Sequence, residues 1–160
     1  MSVTIEVHSP DTPEPLQKNS GFVQVTVTGP AAVSGYCHCL ECRKWHGAPI
    51  NAFSVWPSTS VTIAGETLIS EQSDASGRLS CRLCGGCVAN LKPALKMTVV
   101  YPMTLAGAED PLSFEPSFHI FYGERVMDLA DGLPKFVALP PDFGGTGETV
   151  TEAGHTGWRA

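Results

Sequence analysis

The chain has 160 residues and a net charge of −6, with 42% apolar side chains against 16% charged ones. That is enough sequence and apolar content for one domain with a real core, and it excludes a disordered or supercharged chain. The acidic balance disfavours general nucleic-acid binding, because a negative surface repels a polyphosphate. Sixteen glycines and 13 prolines make turns dense and argue against long helices.

Residues 1–18 contain Pro10, Pro13 and Pro15 and read as a flexible N-terminal arm. With no basic segment followed by an apolar one, the arm does not read as a signal peptide, so the expected location is the cytoplasm. No stretch approaches the roughly 20 apolar residues that span a bilayer, so no membrane partner is expected. Val23, Val25 and Val27 alternate with Gln24, Thr26 and Thr28, the period-2 pattern of a half-buried strand that Gly29-Pro30 ends. One helical turn is expected at Leu40–Trp45. Further short strands follow at Ala52–Trp56, Val61–Ile63, Thr67–Ser70, Arg78–Ser80, Val88–Leu91, Lys96–Tyr101 and His119–Tyr122, punctuated by prolines. The prediction is a mainly β domain over 19–140. The tail, 141–160, is rich in Gly, Thr and Glu and is expected to be mobile.

All six cysteines lie in the middle of the chain, in two clusters of three: Cys37, Cys39, Cys42 and Cys81, Cys84, Cys87. A disulfide framework spreads its cysteines to staple distant loops of secreted chains. Here thiols two or three positions apart can point from one tight turn toward a common centre, which suits a tetrahedral soft cation such as zinc. Cys39-x-x-Cys42 and Cys81-x-x-Cys84 are two such knuckles, and Gly85 and Gly86 let backbone amides turn toward the second. The competing account is six packed, reduced thiols, since free Cys is readily buried. A thioredoxin-like redox role is weaker, because no βαβ pattern surrounds either knuckle.

The string Cys37-His38-Cys39-x-x-Cys42-Arg43-x-x-x-Gly47-Ala48 resembles the first signature of the glutathione-dependent formaldehyde-activating (GFA, or CENP-V/GFA) domain. Cys81-x-x-Cys84-Gly85 is similar to its second signature. His119-Ile120 followed by Asp131-Gly132-Leu133-Pro134-Lys135-Phe136 is similar to its C-terminal one. The resemblance implies a β-tent fold of several small coiled antiparallel sheets around a zinc site. It also implies a substrate-side zinc on Cys37, Cys39 and Cys42, and a structural zinc on Cys81, Cys84 and an N-terminal C-x-C. Lys18 and Ser20 stand where that C-x-C belongs, so one firmly held zinc per chain is expected. Cys87 either replaces a missing ligand or packs as a bystander. A merged closed site on Cys39, Cys42, Cys81 and Cys84 is a further arrangement, and it would abolish catalysis by filling the open position.

Three thiolates on Zn²⁺ leave a net charge of −1, which acidifies bound water weakly and suits capture of a fourth soft ligand, a substrate thiol. The resemblance supplies glutathione as that thiol and formaldehyde as its electrophile, and hence a carbon–sulfur lyase. The alternative function is a non-catalytic zinc module that carries a thiol or binds a protein partner; a nucleic-acid-binding zinc ribbon lacks a basic stripe. Arg43 and Lys44 are candidates to offset the site's charge or bind a glutathione carboxylate, Lys44 equally well a solvated surface cation. Asp131 is a candidate for shaping the pocket. His38 is expected to point away from the metal, His46 to pack near the first knuckle and His119 to sit in the core. Trp45, Phe53 and Trp56 fit either a pocket wall or the core.

Overall fold

The computed structural model describes residues 2–7, 23–72, 76–104, 114–151, 154 and 156–158. The described chain is mainly β, arranged as several small sheets with a short helix. Among the described residues no helix is long and apolar enough to cross a membrane. The chain divides into two compact units, each made of two sequence segments.

The first unit comprises Met1–Ala32 and Ser54–Phe114. Strands β1 (Ser2–Val7), β2 (Val23–Thr28) and β5 (Val61–Ala64) form an antiparallel sheet with β2 in the centre. Val25 pairs with Ile5 on one side and with Ile63 on the other. A second ladder runs from the end of β4 (Asn51–Pro57) through β9 (Met97–Val100), β8 (Cys87–Lys92) and β7 (Gly77–Cys81) to β6 (Thr67–Gln72). The alternation read from the sequence sets the core: Val23, Val25 and Val27 are buried, with Gln24 and Thr26 between them half-buried. They pack with Trp56, Leu79, Cys81, Val88, Ala89 and Val100. Each such valine contributes about 1.5–3 kcal/mol by leaving water. Trp56 also donates its Nε1–H to the Gly29 carbonyl at 3.2 Å, which satisfies its one polar atom. Trp56 is thus a core residue.

The second unit comprises Val33–Phe53 and Glu115–Ala160. Here β3 (Val33–Cys37) neighbours β4 on one side and runs parallel to β10 (His119–Ile120) on the other, with His119 opposite Tyr36 and Ile120 opposite Cys37. This parallel pair departs from the all-antiparallel expectation. Gly35 makes the approach possible, because a Cβ there would lie 2.7 Å from the Phe118 carbonyl oxygen. Helix α1 (Leu40–His46) follows β3 directly and ends at Gly47 in the left-handed conformation, φ 60°. Phe118 packs at 6.4 Å from Phe53, 6.0 Å from Phe136 and 5.9 Å from Phe143. Phe53, also buried, is core as well.

Several elements differ from the sequence reading. Residues 2–7, expected to belong to a loose arm, pair along their length with β2; residues 8–18 lie outside the described residues. The tail is tied in over much of its length. The Val137 N–H bonds the Glu148 carbonyl and the Val150 N–H the Lys135 carbonyl, both at 2.8 Å, and β12 (Gly157–Trp158) pairs with β11 (Met127–Asp128). Main-chain bonds of this kind leave no mark in a Gly- and Thr-rich composition. The expected strand at His119–Tyr122 stops after two residues because Phe121 turns to φ 53°.

Candidate metal centre

Cys37 ends β3, Cys39 caps α1 and Cys42 lies within its first turn. The chain therefore turns from extended to helical across Cys39, and the turn draws the three side chains together. Their sulfurs all lie within 4.8 Å of one another. Among the described residues no other set of three Cys, His, Asp or Glu donors converges this closely.

The helix start is built around this cluster. Cys39 Sγ accepts the Cys42 N–H at 3.3 Å, the place a Ser or Asp usually takes. The Leu40 N–H, another amide with no partner inside the helix, donates to Glu124 Oε2 at 2.7 Å. Hydrogen bonds from the Cys37 and Cys42 thiols, helped by the Cys42 and Glu41 amides, outweigh burial and pull the Cys39 thiol well below the usual thiol range. Cys37, buried and facing two neighbouring sulfurs, is pushed far up by those same contacts and by desolvation. Three soft donors at this separation, one already inclined to be a thiolate, fit a thiophilic divalent cation such as zinc.

Arg43 turns back over the loop. Its Nε donates to the His38 carbonyl and its second terminal nitrogen to the Glu124 carbonyl, each at 3.2 Å. The sequence offered Arg43 as a partner for charge; the fold uses its donors to hold main chain around the cysteines. Lys44 pairs with Glu41 at 3.2 Å on the exposed face of α1. Trp45 and His46 meet edge to face at 4.8 Å.

Behind the cysteines lies a buried polar chain that the sequence reading did not assemble. His38 Nε2 sits 2.9 Å from His119 Nδ1, and His119 Nε2 sits 2.8 Å from Asp131 Oδ2. Lys135 Nζ donates to Asp131 Oδ1 at 2.6 Å and to the Leu133 carbonyl at 3.1 Å. Both histidines are 0% exposed and Lys135 is 2% exposed. Tyr122, fully buried, presents its ring edge-on to both imidazoles, and its hydroxyl accepts the Leu129 N–H at 2.8 Å. Arg125 lies over the same ring and pairs with Asp128. Burial raises the Asp131 pKa, but hydrogen bonds from Lys135, His119 and the Leu133 amide prevail and hold it at about 2. Burial, followed by the nearby positive charges, lowers His38 to about 3 and keeps it neutral. The spacing of His119, Asp131 and Lys135 was visible in the sequence. Their convergence on His38 was not, because it depends on β10 docking beside β3.

The second cysteine cluster, in the first unit, has a different character. Cys81 is buried in the core, Cys84 is exposed and Cys87 half-buried. The β7–β8 turn closes through the Cys81 N–H to the Gly86 carbonyl at 2.8 Å and the Gly85 N–H to the Cys81 carbonyl at 2.9 Å. Burial raises the Cys87 thiol, with Arg78 opposing it.

A family model described as glutathione-dependent formaldehyde-activating enzyme matches residues 19–124, more than half of the chain. No curated protein matches it. The matched span holds all six cysteines and His119 and stops short of Asp131 and Lys135.

Proposed function

Because the chain belongs to the glutathione-dependent formaldehyde-activating enzyme family, we propose that it is a zinc-dependent carbon–sulfur lyase. It forms or cleaves the S-hydroxymethyl adduct of glutathione or a related thiol. The observation that carries this reading is the convergence of the Cys37, Cys39 and Cys42 sulfurs within 4.8 Å. These three residues would hold the ion. Zinc, when bound, supplies Lewis-acid stabilisation of a substrate thiolate, which three thiolate ligands favour over hydroxide chemistry.

The chain's own residues would bind and orient the substrate. A pocket of about 420 Å³ is lined by Leu40, Arg43, Lys44, Ala48, Val126 and Trp158, among others. It lies on the helix that carries Cys42 and is largely open to solvent. Its wall is largely apolar, and Lys44, exposed beside Glu41, is the cation that would meet a substrate carboxylate, while Arg43 holds main chain. In the synthetic direction a carbon–sulfur bond forms as the carbonyl π pair moves to oxygen. That oxygen takes up a proton, so the thiol's hydrogen is conserved in the adduct's hydroxyl. Six thiols and a thiol substrate call for a reducing compartment.

The test is magnetisation-exchange NMR of glutathione and formaldehyde with the zinc-loaded protein. Adduct formation faster than the spontaneous rate, lost when zinc is removed, is expected. The cobalt-substituted protein gives an independent check. Glutathione should change its thiolate-to-metal absorption, whereas S-methylglutathione, which cannot become a thiolate, should not. A spectrum indifferent to both, with no acceleration, would replace the lyase by a non-catalytic zinc module.

A further inference from the structure

His38 is the middle residue of the Cys37-His38-Cys39 loop, and it is held at three points. Its backbone N–H donates to the Ile120 carbonyl at 3.1 Å. Its carbonyl accepts from Arg43 Nε at 3.2 Å. Its ring meets His119. The ring contact carries directional information, because a neutral imidazole has one donor and one acceptor nitrogen. We propose that Asp131 sets the tautomers of His119 and His38 in series, and that this polar chain positions the cysteine loop for its metal.

The assignment follows from donor counting. Asp131 is a carboxylate and only accepts, so His119 must carry its proton on Nε2. With His119 neutral, its Nδ1 is then a bare acceptor and His38 carries its proton on Nε2 to donate to it; a doubly protonated His119 would instead put the His38 proton on Nδ1. That leaves His38 Nδ1 as a lone pair, and this atom is buried with no hydrogen-bond partner among the described residues. A bare acceptor there is the lesser cost, since two-donor imidazolium would bury an unpaired charge.

The Asp131 contacts make the argument testable by an isosteric change. Oδ1 receives two donors, Lys135 Nζ at 2.6 Å and the Leu133 N–H at 3.2 Å. In Asp131→Asn, only the amide oxygen can take that position, because the amide nitrogen would face two donors. The NH₂ must then face His119 Nε2 and turn it into an acceptor. His119 shifts its proton to Nδ1, and His38 in turn shifts its proton to Nδ1. One carboxylate-to-amide change thus reverses both rings. A partner behind the ligand loop acts on metal affinity much as hydrogen-bond partners of ligating residues do, where loss costs about 10–100-fold.

The experiment is ¹⁵N NMR of histidine-labelled protein, which reads each ring nitrogen as protonated or bare. Expected for the unaltered protein are Nε2–H tautomers on both His38 and His119. Expected for Asp131→Asn are Nδ1–H tautomers on both, and zinc affinity lower by about tenfold or more in a chelator competition. Lys135→Gln keeps the carboxylate and should keep the original tautomers, which separates the effect from loss of a buried charge. An Nδ1–H tautomer in the unaltered protein would overturn the proposal, and that measurement does not depend on any variant folding. Unchanged tautomers in folded Asp131→Asn, or reversed tautomers with unchanged zinc affinity, would overturn it as well. The affinity arm rests on the zinc site proposed above. Failure of the unaltered protein to bind zinc would sink that site and the positioning role together, while the tautomer arm is still read by itself.

Discussion

Cys39 caps the helix and, in the proposed function, is also a metal ligand, and the two roles separate on substitution. Serine is a good N-cap, so Cys39→Ser keeps a side-chain acceptor for the Cys42 amide while removing a soft ligand. The helix should persist by circular dichroism while zinc content falls well below that of the unaltered protein. Full zinc occupancy with unchanged melting would remove Cys39 from the ligand set. Asp131 gives a pH-dependent counterpart. Its folded pKa of about 2 lies below the 3.8 of an ordinary aspartate. Its stabilising effect is therefore complete above about pH 4 and is lost as pH falls from there through about 2. Denaturant midpoints followed from pH 5 to 2 should fall more steeply for the unaltered chain than for Asp131→Asn, which has no such group to protonate. Parallel curves would mean that the ion pair with Lys135 adds nothing to stability.

The elements that the sequence revealed are those whose side chains alternate. β2 was legible from three valines, and β4, β5 and β7 to β9 from short apolar runs between prolines and glycines. β3 was not, because Ser34 and Gly35 carry no apolar signal and Gly35 is there for contact. A Cβ at that position would meet the Phe118 carbonyl at 2.7 Å and its ring at 3.2 Å. Gly35→Ala should separate β10 from β3 and cost about 1–3 kcal/mol, as overpacking does. The loss is read from the urea midpoint, and an unchanged midpoint would show that the segment after Phe118 shifts freely. Gly47 was legible as part of a motif, and the fold supplies its reason: φ 60° closes α1. The cysteine triad was legible because its members are local in sequence. The polar chain behind it was not, since His38 and His119 are 81 residues apart.

At the scale of the whole molecule the two cysteine clusters belong to different units, and only one gathers three sulfurs. Cys81 packs among Val23, Leu79 and Val88 as a small apolar residue does. We expect one tightly held zinc per chain, with a chelator lowering the melting temperature through that site. Elemental analysis that returned two tightly bound zincs would restore a site at Cys81, Cys84 and Cys87. The family match and the sequence reading agree on the kinship of the chain. The use of Arg43 as a main-chain clamp came only from the fold.

The site unit is assembled from 33–53 and 115–160, with 61 intervening residues that belong to the other unit. During synthesis this separation becomes time. At roughly 5–20 residues per second, the ribosome adds His119 several seconds after His38, and Asp131 later still. For that interval Cys37, Cys39 and Cys42 are three neighbouring thiols on a loop without its clamp. Their attraction for soft cations is local and already present, whereas the support that makes the loop rigid arrives with the far end of the chain. If the proposed site binds zinc, its three sulfurs are therefore in place before the support behind them.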